Sequence, residues 1–483
     1  MFARICNLAA LSVLARQLHP EDFGTVAIVQ VLLMWLTVSG DAGVSAFVIT
    51  DAGRGRGNRL ATAFSCQLGL LAAQLVLALA AGPLLLRFLH AQHAVPLLGV
   101  MLISIMMRGV AVVPDSLLRR RMQNRELATI DSSLDLLSAI VAVVLALLGA
   151  GIWSLVVPAV VASVLRTALV YRLAQWTPRI RFDRTEGSRV MRLSGHGLAT
   201  TTLGFVLNDG DTMIIQRTLG AASLGFYNLG WTLANVSNRL ISGVVTSLSL
   251  PALATLQSAP AQLGRAHLRF VRICAALAIP TSATLLVLAP DVVRVVYGAR
   301  WQPSVILLQI LLVFTAVRAF TSSTAGVFIL GNRPDLGTKM NLGALAVYLP
   351  AIWLASSRGV LGVAIAVTVV RVVVAVVAFL ISLRLLKVSF RAGGAAVLPS
   401  LAGAVVAALM TSGVAHLLPM APGFWRLAVL APVALLAQYA FCRLLAPQAA
   451  AELTEIAKRL ILKVTRGRQV PPSVLNGSAQ GMR

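Results

Sequence analysis

The chain has 483 residues, 58% hydrophobic and 12% charged, with a mean hydropathy of +0.86. Soluble domains carry about 25% charged residues, so this composition excludes an ordinary water-soluble enzyme. The net charge of +25 invites a nucleic-acid partner, but the basic residues form short clusters between apolar runs and no soluble segment could present a groove, so none is expected.

Apolar runs of about 20 residues, enough to cross a bilayer, recur from end to end. A closed barrel would show roughly 10-residue alternating strands instead. Fourteen spans are read, at 1–16, 23–50, 60–88, 94–118, 131–149, 151–171, 193–216, 222–255, 270–291, 302–330, 337–356, 359–383, 394–417 and 424–446. The predicted class is an all-α polytopic membrane protein with about 14 transmembrane helices.

The first span has only about 15 apolar residues before Arg16, roughly 22 Å of helix. With Arg4 ahead of it, it resembles a signal peptide; it is read here as a short first helix, in a chain expected to start inside a longer gene product. It leads into Leu14-Ala-Arg-Gln-Leu-His-Pro-Glu-Asp-Phe-Gly24, a polar stretch wedged between apolar runs. This stretch has an echo in Ile215-Gln-Arg-Thr-Leu-Gly-Ala-Ala-Ser-Leu-Gly225, where Arg16 meets Arg217 and Gly24 meets Gly225 at an offset of 201. At an offset of 208, Met122-Gln-Asn-Arg125 meets Leu330-Gly-Asn-Arg333, and Gly151 meets Gly359. The drift between the two offsets is read as one loop insertion. Fixed-offset self-similarity predicts two related halves, 1–190 and 191–390, each a six-helix lobe. An extra helix pair over 391–447 and a cytoplasmic tail over 448–483 follow. Within the tail, Leu453, Ile456, Leu460, Ile461 and Val464 share one helical face, which predicts a helix lying on the inner leaflet, with disorder from about Gln469.

Lys and Arg set the orientation. Even-numbered loops and the C-terminal tail hold about 28 of them and odd-numbered loops about 6, so both termini are expected in the cytoplasm.

Charges at membrane depth are costly and usually face a partner or a wet cavity. Arg108 lies mid-way along the fourth span and Arg318 along the tenth, equivalent positions that are expected to face each other. Arg239 is central in the eighth span, Asp41 lies in its equivalent, the second, and Arg371 is central in the twelfth. Asp209 and Asp211 lie one to two turns before Arg217, and Asp131 and Asp135 stack at i, i+4 where the fifth span begins. A cavity lined by Arg108, Arg239, Arg318 and Arg371 would suit an anionic substrate, since the guanidinium fork grips phosphate with two hydrogen bonds. The competing role is helix pairing with a neighbouring carboxylate, and the two stand level. Asp41, Asp209, Asp211 and Arg217 are read as coupling or helix-pairing residues, with Asp209 and Asp211 set to carry an ion or proton or to pair with Arg217. Asp131 and Asp135 are read as packing or snorkelling.

No phosphate-cradling glycine-lysine motif and no H-E-x-x-H pair occurs, and the six histidines are scattered over loops and span ends. Cys6, Cys66, Cys274 and Cys442 form no C-x-x-C pair. No catalytic residue, metal or cofactor is expected, and transport is the function class left.

Several of these stretches together carry a family likeness. Leu14 to Gly24, Asp211-Thr-Met-Ile-Ile-Gln-Arg-Thr-Leu-Gly220, Leu224-Gly-Phe-Tyr-Asn228, Ala289-Pro-Asp-Val-Val-Arg-Val-Val-Tyr-Gly298 with Trp301, and Leu330-Gly-Asn-Arg333 resemble the signatures of bacterial polysaccharide flippases in the MATE-like exporter superfamily. The resemblance covers roughly 8–390, and the chain departs from it in its short first helix. It implies a V-shaped pair of six-helix lobes that alternate in access and move an undecaprenyl-diphosphate-linked oligosaccharide to the periplasmic leaflet of the bacterial inner membrane. Implied partners are a polysaccharide polymerase and a chain-length regulator. The alternatives are a peptidoglycan lipid-precursor flippase, against which Pro20-Glu-Asp-Phe-Gly24 argues, and an ion-coupled multidrug exporter, whose cationic cargo an arginine-lined cavity would repel. A glycosyltransferase or polymerase would need a larger extramembrane loop than the roughly 20 residues found here.

Overall fold

Every regular element is helical among the residues that the computed structural model describes: 2–41, 43–50, 56–254, 260–331, 333–417 and 423–444. The expected surface helix over 453–464 and the tail after it lie outside the described residues. Helices α1 (Phe2–Gln17), α2 (Pro20–Asp41), α3 (Val44–Thr50), α4 (Arg56–Phe88), α5 (Val95–Val110) and α6 (Val112–Arg120) come first. Next are α7 (Asn124–Leu147), α8 (Trp153–Ala174) and the long α9 (Arg184–Ala254). The chain continues through α10 (Pro260–Val296), α11 (Ser304–Thr321), α12 (Thr324–Leu330), α13 (Pro334–Ser356) and α14 (Gly359–Leu385), and closes with α15 (Phe390–Leu417) and α16 (Phe424–Leu444). Eight helical stretches among the described residues are long and apolar enough to cross a membrane. The protein is therefore a multi-pass helical membrane protein. Prolines stand inside α4, α8, α10, α13, α15 and α16, as bundled membrane helices tolerate.

The echoes in the sequence have backbone counterparts. Gly151 and Gly359 both take positive φ, 56° and 75°, at the turns that begin α8 and α14. His90 and Gly298 do so at 54° and 96°, each just before a single 3-10 turn, Gln92–Ala94 and Ala299–Trp301. The fourth and tenth predicted spans are each broken in two, at Ala111 and at Ser322–Ser323. Over the described residues α10 spans 37 and its counterpart α4 spans 33; the loops directly ahead of both lie outside the described residues.

Gly220 ends the first part of α9 with φ 81° and ψ 176°, and the second part crosses α2 at very short range. A Cβ on Gly24 would strike the Ala221 carbonyl, and a Cβ on Gly225 would strike the Pro20 carbonyl. The contact is reciprocal, since Gly24 and Gly225, and likewise Pro20 and Ala221, stand 201 apart. Small residues at a crossing let backbones approach closely, which drives helix association where water is absent.

Around this crossing the two halves exchange side chains. The Arg16 guanidinium donates to the Val295 carbonyl at 2.7 Å, at the end of α10, and its echo Arg217 meets the His90 ring and lies over Phe88, 5.0 Å from its centroid, at the end of α4. Each arginine stands at the C-terminal end of a helix in the opposite half, where cations are favoured, and Arg16 caps a carbonyl there. Trp301, fully buried, donates from its indole N–H to the Ala15 carbonyl at 2.8 Å and meets the Phe23 and Phe226 rings edge-on at 5.2 and 5.7 Å. The largest hydrophobic core among the described residues surrounds it, drawing on α1, α2, α4, α5, α7, α8, α9, α10, α11, α13 and α14. This end carries the arginine-poor loops. Helices α15 and α16 pack on α10, with the Asp291 carboxylate accepting the Gly423 N–H at 3.0 Å and Gln438 donating to the Thr281 hydroxyl at 3.0 Å.

Alanine at Gly24 or Gly225 must push backbone off backbone, so each variant is expected to lose at least about 1–3 kcal/mol. Because both residues share one crossing, the double variant should cost less than the sum. Thermal unfolding of the four proteins in detergent measures this.

Candidate functional site

A polar cavity of about 420 Å³ opens among α2, α3, α4, α5, α6, α7 and α8, nearer the arginine-rich end than the glycine crossing. The break between α5 and α6 shapes it. Carbonyls left over where α5 stops need donors, and α8 supplies them. Thr167 donates to the Met107 carbonyl at 2.8 Å, and one turn on Tyr171 donates to the Val110 carbonyl at 2.9 Å. This docking aims Arg166 into the cavity. Its Nε donates to Asp131 on α7 at 2.8 Å and its terminal nitrogen to Asp115 on α6 at 2.8 Å. Arg119 takes the other oxygen of Asp115 at 2.7 Å.

Arg108 also lines this cavity and is exposed to it, with Arg166, Asp131 and Asp135 as its charged neighbours. No hydrogen bond or ion pair holds its guanidinium among the described residues. The reason is competition: Arg166 and Arg119 already take Asp115 and Asp131. Buried charges are normally tied up in this way, and Arg108 is the fork left open to a ligand.

A second charged cluster lies where α9, α13 and α14 meet. Arg371 donates to the Tyr348 hydroxyl and to the backbone carbonyls of Leu207 and Asn208 at 3.0 and 2.9 Å. It approaches Asp211 at 3.7 Å and is enclosed by the rings of Trp231, Phe314 and Tyr348, with centroids 5.0, 5.3 and 5.1 Å away. Asp211 is 2% exposed and accepts a 2.5 Å hydrogen bond from Tyr227. Asp209, partly buried, has Asp211 and Arg371 as charged neighbours. Its Nε and one terminal nitrogen are spent on protein, which pins α9, α13 and α14 together.

Measured against the sequence reading, the arginines divide. Arg108 is in the polar cavity. Arg318 does not line it; spaced i, i+4 from Phe314, it lies along its own helix over that ring at 5.9 Å, so the two cations do not face each other across one pocket. Arg371 is enclosed instead of lining the cavity. The side chains of Arg239 and Asp41 lie outside the described residues. Asp211 pairs with Arg371 and Tyr227, not with Arg217, because Arg217 turns to the His90 ring. Asp131 is an ion-pair partner of Arg166 and not a packing or snorkelling residue. The cavity is not a purely cationic one, since Asp115, Asp131 and Asp135 stand beside Arg108, Arg119 and Arg166. Arg166 and Asp115 were missed by the sequence reading because both lie near the ends of predicted spans, 151–171 and 94–118, and not at mid-span as Arg108 does.

A family model described as "Polysaccharide biosynthesis protein" matches residues 13–306. The succinoglycan biosynthesis transport protein ExoT of Rhizobium meliloti (strain 1021) is 28% identical over 299 residues, 61% of this chain and 60% of that protein. The chain thus spans less than two thirds of that relative's length. The lipopolysaccharide biosynthesis protein WzxC of Escherichia coli (strain K12) is 21% identical over 385 residues, 78% of this chain and 77% of that protein. Among solved structures, the lipid II flippase MurJ in an inward closed conformation superposes with a TM-score of 0.70 at 16% identity, covering 91% of this chain and 96% of that one. An inward-facing MATE-family multidrug transporter gives 0.64 at 18% identity, covering 80% and 95%. The fold is the one these two transporters share.

Removing one partner of a buried ion pair costs about 3–5 kcal/mol, whereas replacing both by apolar or neutral groups costs far less. Arg371→Ala is therefore expected to lower the unfolding temperature sharply, and Arg371→Met with Asp211→Asn to recover most of the loss. Scanning fluorimetry of the three proteins measures it.

Proposed function

Because this chain belongs to the polysaccharide biosynthesis protein family, we propose that it is a flippase for an undecaprenyl-diphosphate-linked oligosaccharide. It carries that lipid from the cytoplasmic to the periplasmic leaflet of the inner membrane, for O-antigen, capsule or exopolysaccharide synthesis. The observation that carries this reading is the open guanidinium of Arg108 in a polar cavity, at the end of the molecule opposite the closed crossing of Gly24 and Gly225.

The mechanism follows from that polarity. With the arginine-rich loops in the cytoplasm, the cavity accepts cargo from the inner leaflet while the far end is sealed by Trp301 and the reciprocal arginines. Arg108 grips the diphosphate through paired hydrogen bonds, the polar wall shelters the sugar, and the prenyl tail stays in lipid. About fourteen transmembrane helices form two six-helix lobes with an added pair, and release outward requires the lobes to part at the glycine crossing. Repeat-built transporters rock in this manner about a site near the midplane. In this scheme Asp211 serves helix pairing through Arg371, and Asp209 is the carboxylate on which an ion gradient would act. The WzxC and ExoT names concern lipopolysaccharide and succinoglycan in those organisms, and this chain's cargo belongs to the same broad class.

The deciding experiment is lipid extraction from a deletion strain, with mass analysis of diphosphate-linked oligosaccharides and a test of which leaflet holds them. Complete repeat units accumulating on the cytoplasmic side, with loss of surface polymer, are the expected result. Unchanged lipid-linked units together with reduced drug tolerance would point to a multidrug exporter instead. In the complemented strain, Arg108→Gln is expected to cut surface polymer by about tenfold or more, the loss of one charge-assisted contact of about 1.5–3 kcal/mol. Its unfolding temperature should stay near wild type, because no described ion pair depends on Arg108.

A further inference from the structure

The chain between α8 and α9, residues 175–183, joins the two halves without regular structure. It does not hang free. The Ser65 hydroxyl of α4 donates to the Arg181 carbonyl at 3.0 Å, and the Thr62 hydroxyl accepts from the Asp183 N–H at 3.2 Å. Just beyond, Arg59 pairs with Glu186 at 2.8 Å. At the other end Trp176 packs on Phe64 and Tyr171, with ring centroids 5.4 and 6.2 Å away.

These fastenings fix the depth of the linker. The apolar stretch of α4 able to cross a membrane runs over Arg59–Phe88, 30 residues. At 1.5 Å per residue it is about 45 Å long, the thickness of a bilayer with both headgroup layers. Thr62 and Ser65 lie about 4.5 and 9 Å from its start, where the headgroups meet the acyl chains. The arginine-rich loops place this end at the inner leaflet, and a tryptophan beside a tyrosine suits that level. The linker thus runs along the membrane boundary instead of out into the cytoplasm.

Its side chains match the position. Ile180 is 78% exposed and Phe182 65%, although both are large and apolar. The Phe182 ring is held over Gly187, where a Cβ would come within 2.8 Å of it, so the ring is presented from a fixed seat. Around these two tips Arg172, Arg179, Arg181 and Arg184 are exposed. The nearby carboxylates are occupied: Asp183 accepts from the N–H groups of Thr185 and Glu186 at 2.8 and 3.2 Å, and Glu186 takes Arg59. Apolar tips flanked by cations fit acyl chains lying beneath phosphates. An acidic protein face would match the arginines and leave the tips in a polar setting.

We propose that the linker between the halves is an interfacial anchor. Ile180 and Phe182 sit in the acyl chains of the inner leaflet, and Arg179 and Arg184 lie on phospholipid phosphate. The partner is the bilayer itself, so this surface is independent of the cargo and of the flippase reading. The joint between the halves is then held on two sides, by α4 within and by the leaflet without.

The test uses a bimane label on the full-length protein in nanodiscs of phosphatidylethanolamine and phosphatidylglycerol. Ile180→Cys carries the label, and the unsubstituted protein treated alike supplies the background from Cys6, Cys66, Cys274 and Cys442. Lipid spin-labelled near the top of its acyl chain is expected to quench the label, with aqueous iodide quenching it less than about half as much. Phe182→Cys should behave in the same way and serves if the first variant does not fold. Adding Arg179→Gln and Arg184→Gln to Ile180→Cys should raise quenching by iodide about twofold or more, as the tips lift toward water. Quenching by iodide and not by lipid would overturn the proposal, since the linker would then stand in the cytoplasm. Quenching by neither would overturn it as well, by placing the tips against protein. Unchanged quenching in the arginine variant would remove the phosphate contact and with it the anchor as proposed.

Discussion

The architecture depends on a constraint with no side chain in it. At Gly24 and Gly225 two helix backbones come closer than any Cβ permits, and each glycine lies against the start of the other's helix, at Ala221 and Pro20. The exchange of Arg16 and Arg217 and the seating of Trp301 on Ala15 surround that approach. In a bilayer, apolar side chains gain little by leaving lipid for one another, so close backbone packing and buried polar contacts carry the association. One end of the molecule thereby becomes tight and dry, and space is left at the other.

What occupies that space is decided by how charges share partners. Three guanidiniums and three carboxylates line the cavity, and simple counting would call it neutral. Geometry divides it otherwise, because Arg166 spans two helices to take Asp115 and Asp131 together. The arrangement holds α6, α7 and α8 in register and withholds those acids from Arg108. Arg371 is the opposite case, a cation enclosed by rings and bonded to two backbone carbonyls and a tyrosine hydroxyl. The same residue type at similar depth is a potential ligand-binding group in one place and a rivet in the other.

Helix content, the turns at Gly151 and Gly359 and the echo of Gly24 in Gly225 follow patterns local to the chain and were legible in the sequence. The breaks within the fourth and tenth spans, each read as one continuous helix, were not. Periodicity reports length, turns report glycine, and a fixed offset reports duplication. Partnership was not legible. Nothing in the run around Asp211 indicates that Tyr227 and Arg371 will reach it in preference to Arg217, six residues away. Six residues along one helix set the two side chains about 120° apart around its axis, and Arg217 meets Phe88 at the end of α4. Likewise, depth singled out Arg108, but its open fork depends on Arg166, 58 positions along the chain, and only the packing of α8 on α5 brings the two together.

The unequal lengths of α4 and α10 bear on the surrounding bilayer. At 1.5 Å per residue, 33 and 37 residues give about 50 and 55 Å, both beyond the roughly 30 Å hydrocarbon thickness. Both end beside the paired 3-10 turns, so the length beyond the hydrocarbon projects at their starts, where α4 carries Arg56 and Arg59 and α10 carries Arg265, Arg269 and Arg272. Those first turns are polar, so they stand in the headgroup layer and impose no hydrophobic mismatch. Basic side chains raised on helix ends attract anionic lipid, at about 1 kcal/mol each near the surface. The lipid composition of the adjoining leaflet therefore bears on how firmly this face of the protein is held.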